Sequence, residues 1–137
     1  MNSENIANLN LIGANEEDLK VISAYLQDSI VIVRDIVFLK KNKSFVMIVN
    51  RFMWEDVEKG ILRSNKRVRS AVRFEGVIEV KSKNINQKNQ DLVLELIAID
   101  YLKNKDDYEV NLIFNNNAHI SLRTDSIEVR LEDQNEV

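Results

Sequence analysis

The sequence predicts an α+β fold: mostly antiparallel β, as a strongly curved sheet, an open barrel or a sandwich, with one helix near the N-terminus. Three observations predict it. Apolar and polar residues alternate through residues 109–132, several other apolar stretches are rich in β-branched side chains, and one early segment has helical spacing. A helix followed by a run of strands is typical of α+β rather than α/β proteins.

The segment 109–132, EVNLIFNNNAHISLRTDSIEVRLE, predicts a three-strand meander. Apolar residues alternate through Val110–Phe114 and again through Ala118–Leu122, on either side of three asparagines that tolerate the positive φ of a tight loop. Both apolar rows share one face only if Glu109 lies opposite Arg123, and opposite charges directly across a ladder support that register. The alternation resumes after a Thr-Asp break and predicts the third strand.

The remaining elements follow in order along the chain. Residues 1–8 are predicted to form a flexible tail and residues 9–133 a single domain. Asn15 is a suitable N-cap because three acidic residues follow it, and apolar residues then recur at helical spacing, so a helix is predicted over residues 16–27. Further strands are predicted at residues 9–12, 30–39, 45–49, 68–80 and 92–101. Gly76 within the fourth of these predicts a bulge or a close backbone contact.

The apolar stretches Ile30–Leu39 and Phe45–Val49 predict a hairpin in which Leu39 lies opposite Val46. Both faces of this hairpin are then apolar. Because a strand pair with one wet face alternates, we expect both faces to be covered, one of them by the helix.

Composition excludes several classes of chemistry. The chain has 137 residues, a formal net charge of −3 and no cysteine, which excludes disulfides, thiolate catalysis and cysteine-ligated metal sites. Its isolated glycines form no phosphate-cradling loop, so no cofactor is expected. The first ten residues lack the pattern of a secretory signal, and no apolar stretch approaches a membrane span. We therefore expect a soluble cytoplasmic protein that does not enter a membrane.

His119 is the only histidine and, together with scattered carboxylates, the candidate for acid–base chemistry. The predicted register places it opposite Ile113, on a strand face shared with Ser121 and Arg123. Neighbours on one strand face lie about 7 Å apart, whereas a nucleophile–base pair needs about 3 Å. A rim histidine is the favoured interpretation, with neither a catalytic nor a metal site expected. A small-ligand-binding or hydrolytic enzyme that uses His119 is kept as the third hypothesis.

Arg67, Arg69 and Arg73 share one face of a predicted strand, in a stretch without acidic residues. They could follow a phosphate backbone while Phe52 and Trp54 stack on bases, which makes an RNA- or DNA-binding module the second hypothesis. The whole chain is acidic, however, and its acidic C-terminal strand offers the same arginines a partner within the protein.

Arg51 and Trp54 lie directly after an apolar strand. A tryptophan at a strand end commonly closes a core, whereas an aromatic side chain beside an arginine is a common centre of protein interfaces. The first interpretation is favoured and the second is kept. The candidate interaction residues are therefore Arg51, Phe52, Trp54, Arg67, Arg69 and Arg73.

Four short segments stand in a recognisable order: SAYLQD at Ser23–Asp28, NRFMWE at Asn50–Glu55, the pair Arg73-Phe74, and IEVRLED at Ile127–Asp133. Together they resemble an alphaproteobacterial family of short single-domain proteins known as a domain of unknown function. In that family an acidic residue commonly precedes the tryptophan, where this chain has Met53. The resemblance implies one domain in a bacterial cytoplasm, and it brings no activity, cofactor or catalytic residue.

The leading hypothesis is a small soluble, non-catalytic binding or assembly module that acts through protein contacts. Its partner would be another protein or a second copy of the chain, and nucleic acid is the less favoured partner. Apolar edge strands and the Arg51–Trp54 element favour this hypothesis.

Overall fold

A computed structural model of the chain describes residues 9–53 and 67–134. Within those residues one antiparallel sheet and one α-helix form, which confirms the predicted α+β class. The elements are β1 (Asn10–Gly13), α1 (Glu16–Leu26), β2 (Ser29–Leu39), β3 (Ser44–Phe52), β4 (Arg67–Glu75), β5 (Val77–Lys83), β6 (Val93–Lys103), β7 (Tyr108–Phe114), β8 (His119–Thr124) and β9 (Val129–Asp133). At 11 residues, α1 is far shorter than the roughly 20 needed to cross a bilayer, and the described residues hold no longer helix.

The sheet curls back on itself without closing. Its strand order is β1-β9-β4-β3-β2-β6-β7-β8-β5, so five strands separate β4 from β5 although only Gly76 separates them along the chain. The curl brings β5 against the turn between β2 and β3, where the Val77 amide donates to the Lys43 carbonyl at 2.8 Å. A single curved, open sheet is therefore formed, and not two packed sheets.

The helix packs on the sheet mainly against β6, with further contacts to β1 and β3. Its apolar side is the predicted one: Leu19, Ile22 and Leu26 are all buried. The predicted N-cap is also present, because the Asp18 amide donates to Asn15 Oδ1 at 2.9 Å. The helix ends one residue earlier than predicted.

The first hairpin of the predicted meander forms in the predicted register. β7 pairs with β8 so that Glu109 lies opposite Arg123. The guanidinium of Arg123 forms its ion pairs elsewhere, reaching Glu79 at 3.3 Å and Asp107 at 3.4 Å. The cross-strand position was therefore predictable, but the charged partners were not.

The third strand of the meander was placed wrongly. β9 does not pair with β8; it lies between β1 and β4. Its Leu131 stands opposite Leu11 on one side and Val72 on the other. Alternation identifies a strand and its buried face, but the choice of neighbour depends on the whole sheet, and between β1 and β4 both edges of β9 are hydrogen-bonded.

The register predicted for the β2–β3 hairpin is wrong by two residues, since Leu39 lies opposite Ser44 and not Val46. The reason is the turn. Residues Lys40–Asn42 form one turn of 3-10 helix, and Lys43 follows with a φ of 55°, so β3 starts earlier than the sequence suggested.

The expectation that both hairpin faces are covered is also wrong for the end near the turn. Val37 and Leu39 are 45% and 40% exposed. The helix does not reach them because it packs mainly on β6.

The strand predicted over residues 68–80 is two strands, β4 and β5, divided at Gly76. Gly76 has a φ of 72°, and the nearest atom to an added Cβ would be 4.0 Å away. Backbone conformation, and not lack of space, therefore requires glycine here. A register shift between Val77 and Glu79 follows directly, so the predicted bulge lies just beyond the glycine.

Candidate binding cleft

An apolar cleft opens where the curled sheet fails to close. Its volume is about 380 Å³, within the roughly 300–1,000 Å³ of small-molecule sites. Seven of its ten lining side chains are apolar, and they come from β2, β3, β5, β8 and the loop after β5. They include Ile36, Phe38, Val80, Ile85 and Ile120.

The cleft exists because β2 extends beyond its partner β6. Pairing between these strands ends at Ile32, opposite Val93. For the next two residues the loop before β6 takes over, and its carbonyls accept from the Val33 and Arg34 amides at 2.9 and 3.1 Å. Within the described residues, Asp35–Leu39 then has no backbone partner on that edge. Across the cleft, β5 pairs with β8 alone among the described strands.

Three neutral polar side chains complete the lining. Gln87 donates through Nε2 to Ser82 Oγ at 2.7 Å, and Gln90 donates through Nε2 to the Gln87 carbonyl at 2.6 Å. Within the described ranges, the amide oxygens of Gln87 and Gln90 accept no hydrogen bond. Among the described residues, no charged side chain lines the cleft. The site therefore suits an apolar group that carries, at most, a neutral hydrogen-bond donor.

Three lysines lie at one end of the cleft: Lys40, Lys41 and Lys43, at the turn between β2 and β3. Lys81 and Lys83 lie on the face of β5 that is turned away from the cleft, since Val80 and Ser82 line the cleft between them. All five are exposed, and none forms an ion pair with another residue of the described ranges. Since the whole chain carries a net charge of −3, the three lysines at the turn are a local concentration of positive charge that attracts anionic groups.

The structure holds Arg51 inside the protein. Its guanidinium donates to both carboxylate oxygens of Asp133, from Nε to Oδ1 at 2.9 Å and from Nη2 to Oδ2 at 2.8 Å, and both side chains are 0% exposed. The ring of Tyr25 lies 5.8 Å from the guanidinium. Asp133 also accepts from the Ser70 hydroxyl at 2.6 Å and from the Leu9 amide at 3.0 Å. The pair thus ties β9 to β3, to β4 and to the residue that precedes β1.

Sequence reasoning missed Asp133, although the sequence carries a signal for it. In β9, Val129 and Leu131 point inward, and Asp133 continues that inward row. In β3, Arg51 continues the inward row of Val49 in the same way. One inward cation and one inward anion predict a buried pair, because an unpaired buried charge is costly.

The other two residues of the predicted interaction element are Phe52 and Trp54. Phe52 ends β3 and is half-buried. Trp54 lies outside the described residues, so the choice between core lid and interface stays a prediction.

The three arginines of the predicted basic strand share an exposed face of β4. Arg67 donates to two backbone carbonyls of the chain at 3.0 and 3.1 Å, and Arg73 forms an ion pair with Glu75. The side chain of Arg69 has no ion-pair partner in the described part of the chain. The acidic strand β9 lies beside β4, with Glu132 in the row next to these arginines.

His119 lies where the register predicted it, opposite Ile113 on the outer face of the sheet. It borders a broad, open depression of about 630 Å³ that also includes the carboxylates of Asp100 and Glu109. Among the described residues, no three histidine or acidic side chains are grouped closely enough to hold a metal ion.

The hydrogen bonds of His119 define what it can do. Its Nε2 lies 3.0 Å from Asn111 Oδ1, which also accepts from the Ser121 hydroxyl at 2.9 Å. Because an amide oxygen only accepts, the tautomer that bonds to it is the one with its proton on Nε2. Ser121 Oγ lies 3.4 Å from the same nitrogen, which takes no proton from the serine in that tautomer. The three side chains form a polar cluster without the nucleophile–base bond of a hydrolase.

Residues 9–137 match a family model described as a protein of unknown function, DUF2948. The chain belongs to this family. The match covers every described residue and confirms the resemblance to a family of unknown function. A search of the curated proteins found no match.

Three of the segments that carry the resemblance meet at the buried ion pair. Tyr25 lies in the first of them, Arg51 in the second and Asp133 in the last, and the guanidinium of Arg51 contacts each of the other two side chains. The cleft is built from other parts of the chain. Three of the four segments therefore help to hold the fold together, and among the described residues none of the four lines the cleft.

Proposed function

We propose that this protein is a non-catalytic binding module and that the apolar cleft is its binding site. One observation carries the proposal: where the pairing of β2 with β6 stops, the inner face of the sheet opens into a cavity of about 380 Å³ lined by seven apolar side chains. An accessible apolar cavity with a few neutral polar groups is the usual form of a binding site.

The absence of charge in the lining supports binding rather than chemistry. Ser82 is the only hydroxyl among the lining residues, and its oxygen already accepts from Gln87. His119 lines a different depression, and its Nε2 is bonded to Asn111. A binding role therefore accounts for the cleft without a reacting group.

The experiment titrates the protein with anilinonaphthalene sulfonate, a dye that combines an apolar body with one negative charge. We expect saturable fluorescence enhancement at one site. Val80→Phe fills the cleft and should weaken binding by about tenfold or more, since each buried apolar group contributes on the order of 1 kcal/mol or more. Val21→Phe, which adds the same atoms at an exposed position on α1, is the matched control and should bind like wild type.

Two results would contradict the proposal. One is the absence of saturable dye binding to a wild-type protein that melts cooperatively. The other is equal binding by Val80→Phe and wild type, provided that Val80→Phe melts cooperatively as well. Bound dye should also raise the melting temperature of wild type, because a ligand of the folded state stabilises it by mass action.

We further infer a cytoplasmic location. The chain contains no cysteine, as is compatible with a reducing compartment. Fractionation of cells that express the tagged protein would test this, and recovery in a membrane or secreted fraction would contradict it.

A further inference from the structure

Resting on the binding role proposed above, we infer that the natural occupant of the cleft is an extended segment of a protein partner. It pairs as an additional strand with the free edge of β2 at Asp35–Leu39. Its apolar side chains enter the cleft, and its acidic side chains meet the lysines of the β2–β3 turn. This mode of recognition takes affinity from main-chain hydrogen bonds and specificity from pockets for alternate side chains.

The backbone of β2 supplies the first requirement. Beyond Arg34, β2 no longer bonds to β6 or to the loop before β6. Alternate residues of Asp35–Leu39 therefore direct amide and carbonyl groups away from β3, and these groups have no partner in the part of the chain that the structure describes. Five residues of strand extend about 17 Å, at roughly 3.3 Å each. That length is enough for a short peptide strand.

The side chains of the two free edges distinguish β2 from β5. Natural edge strands are commonly protected from pairing by charged residues, especially lysine. β5 carries Lys81 and Lys83 in this way, whereas the free edge of β2 carries one charge, Asp35 at its inner end, and is uncharged over Ile36–Leu39. The edge of β2 is therefore the less protected one, and it is where we place the partner strand.

The cleft supplies the second requirement. Ile36 and Phe38 lie on the cleft side of β2 and are half-buried, while Val37 and Leu39 are exposed on the opposite face. A strand paired with this edge points every second side chain to the same side as Ile36 and Phe38. Those side chains enter a lining that has no charge.

The lysines of the β2–β3 turn supply the third requirement and define the chemistry of the partner. Lys40, Lys41 and Lys43 lie at one end of the free edge of β2. A partner segment that alternates large aliphatic residues with residues that include glutamate or aspartate matches both features. A small amphiphile or a second copy of this chain would use the same cleft without this alternation.

The first experiment selects from a displayed library of random twelve-residue peptides on immobilised wild-type protein, with counter-selection on Val80→Phe. We expect enrichment of sequences that alternate aliphatic residues and contain acidic ones. A selected peptide should displace anilinonaphthalene sulfonate from wild type. If the dye binds but no alternating sequence is enriched, the cleft takes a small ligand, and the inference fails while the binding role stands.

The second experiment locates the peptide. Amide hydrogen exchange within Asp35–Leu39 should slow by about tenfold or more when a selected peptide binds. Two N-methylated peptides are compared, one methylated at odd-numbered amides and the other at even-numbered amides. One of them should lose binding and the other should keep it, because only one edge of the peptide bonds to β2. Protection of β5 instead of β2, or protection of Asp35–Leu39 by self-association without peptide, would overturn the inference.

The charge component is tested by reversal. Lys40→Glu with Lys41→Glu should weaken a selected acidic peptide by about tenfold at low salt and less at high salt. The control is the double variant Lys20→Glu with Lys105→Glu, which makes the same change of charge on α1 and on the β6–β7 turn. Its affinity for the peptide should differ little from that of wild type. Equal weakening by both double variants would show that net charge, and not the lysines near the cleft, attracts the peptide.

Discussion

Arg51 and Asp133, 82 residues apart in the sequence, form a two-bond ion pair with no exposed side-chain surface. The carboxylate also accepts from the Ser70 hydroxyl and the Leu9 amide, so each of its oxygens has two donors. A buried pair with satisfied hydrogen bonds is costly to break at one side, because the remaining charge stays in the core without a counter-ion. The strands that meet at Asp133 therefore depend on both partners.

We predict that Asp133→Asn and Arg51→Met will each destabilise the protein by about 3–5 kcal/mol, as expected when one member of a buried pair is removed. The double variant Arg51→Met with Asp133→Asn should be less destabilised than the sum of the two single variants, because it leaves no unpaired charge. Urea unfolding of the four proteins gives the coupling energy directly.

The control for this prediction is an exposed ion pair of the same type. Arg34 and Asp91 lie with side chains 52% and 83% exposed. Arg34→Met should therefore cost no more than about 1 kcal/mol. Additive single effects at Arg51 and Asp133, or an equal loss from Arg34→Met, would contradict the importance of burial.

Acid should weaken the same pair. Burial on its own raises the pKa of Asp133, but hydrogen bonds from Arg51, Ser70 and the Leu9 amide, together with the charge of Arg51, lower that pKa below its usual value. A folded-state pKa below the unfolded value of about 3.9 means that the stabilisation is complete above that pH and is lost as pH falls toward the folded pKa.

Asp133→Asn should accordingly flatten the dependence of unfolding free energy on pH below about pH 5. The measurement is the urea midpoint of wild type and Asp133→Asn at several pH values between neutral and strongly acid. Asp106→Asn, in the exposed β6–β7 turn, is the control and should keep the wild-type slope. Parallel profiles for wild type and Asp133→Asn would sink the prediction.

Local sequence patterns predicted the elements of this fold well, because alternation and helical spacing report which face of a segment is buried. The β7–β8 register followed from two apolar rows that had to share a face. The neighbours of β9 did not follow, since Ser70 and Asp133 meet across 63 residues and nothing local specifies that pairing. The predicted β2–β3 register was wrong because Lys43 takes a left-handed backbone conformation, which lysine rarely adopts and which its residue type therefore does not predict.

The candidate site was less predictable than the fold. The cleft depends on where pairing stops, at Ile32 opposite Val93, and no residue there marks the end of a ladder. Its lining residues look like ordinary core residues in the sequence. The buried pair was within reach, however, because Arg51 and Asp133 each occupy an inward position of a strand whose other inward residues are apolar.

The two structurally informative glycines should respond differently to substitution. Gly76→Ala should cost about 1–2 kcal/mol, because alanine resists a positive φ, and Gly76→Asn should cost less, because asparagine tolerates it. Gly13→Ala should cost about 1–3 kcal/mol by overpacking, since its Cβ would lie 2.9 Å from Val129 Cγ1. Urea unfolding checks both, and equal losses for alanine and asparagine at Gly76 would contradict the conformational explanation.

The neutral form of His119 should carry its proton on Nε2. That nitrogen lies 3.0 Å from the Asn111 side-chain oxygen, which can only accept. Nitrogen chemical shifts of the imidazole ring at alkaline pH distinguish the two tautomers. In Asn111→Ala the constraint is removed, and a mixture of tautomers is expected. A proton on Nδ1 in wild type would leave Nε2 free to accept from Ser121 and would restore the case for hydrolytic chemistry.

Nucleic-acid binding through β4 should be absent or weak. A surface that binds a phosphate backbone needs several unpaired cations, because its affinity comes from neutralising several phosphates. Each neutralised phosphate contributes about −0.9 to the slope of log binding constant against log salt concentration. Arg73 is ion-paired with Glu75 and Arg67 is hydrogen-bonded to two backbone carbonyls, which leaves Arg69 as the arginine of β4 without either kind of bond among the described residues. The measurement is fluorescence anisotropy with short single-stranded RNA and duplex DNA at low salt. Any binding by wild type should be weak, and Arg69→Glu and the control Lys105→Glu should change it equally. Binding that depends steeply on salt and is lost specifically in Arg69→Glu would instead make β4 a nucleic-acid surface. One arginine alone cannot produce a steep salt dependence, so Arg67 and Arg73 would then have to release their internal partners when nucleic acid binds.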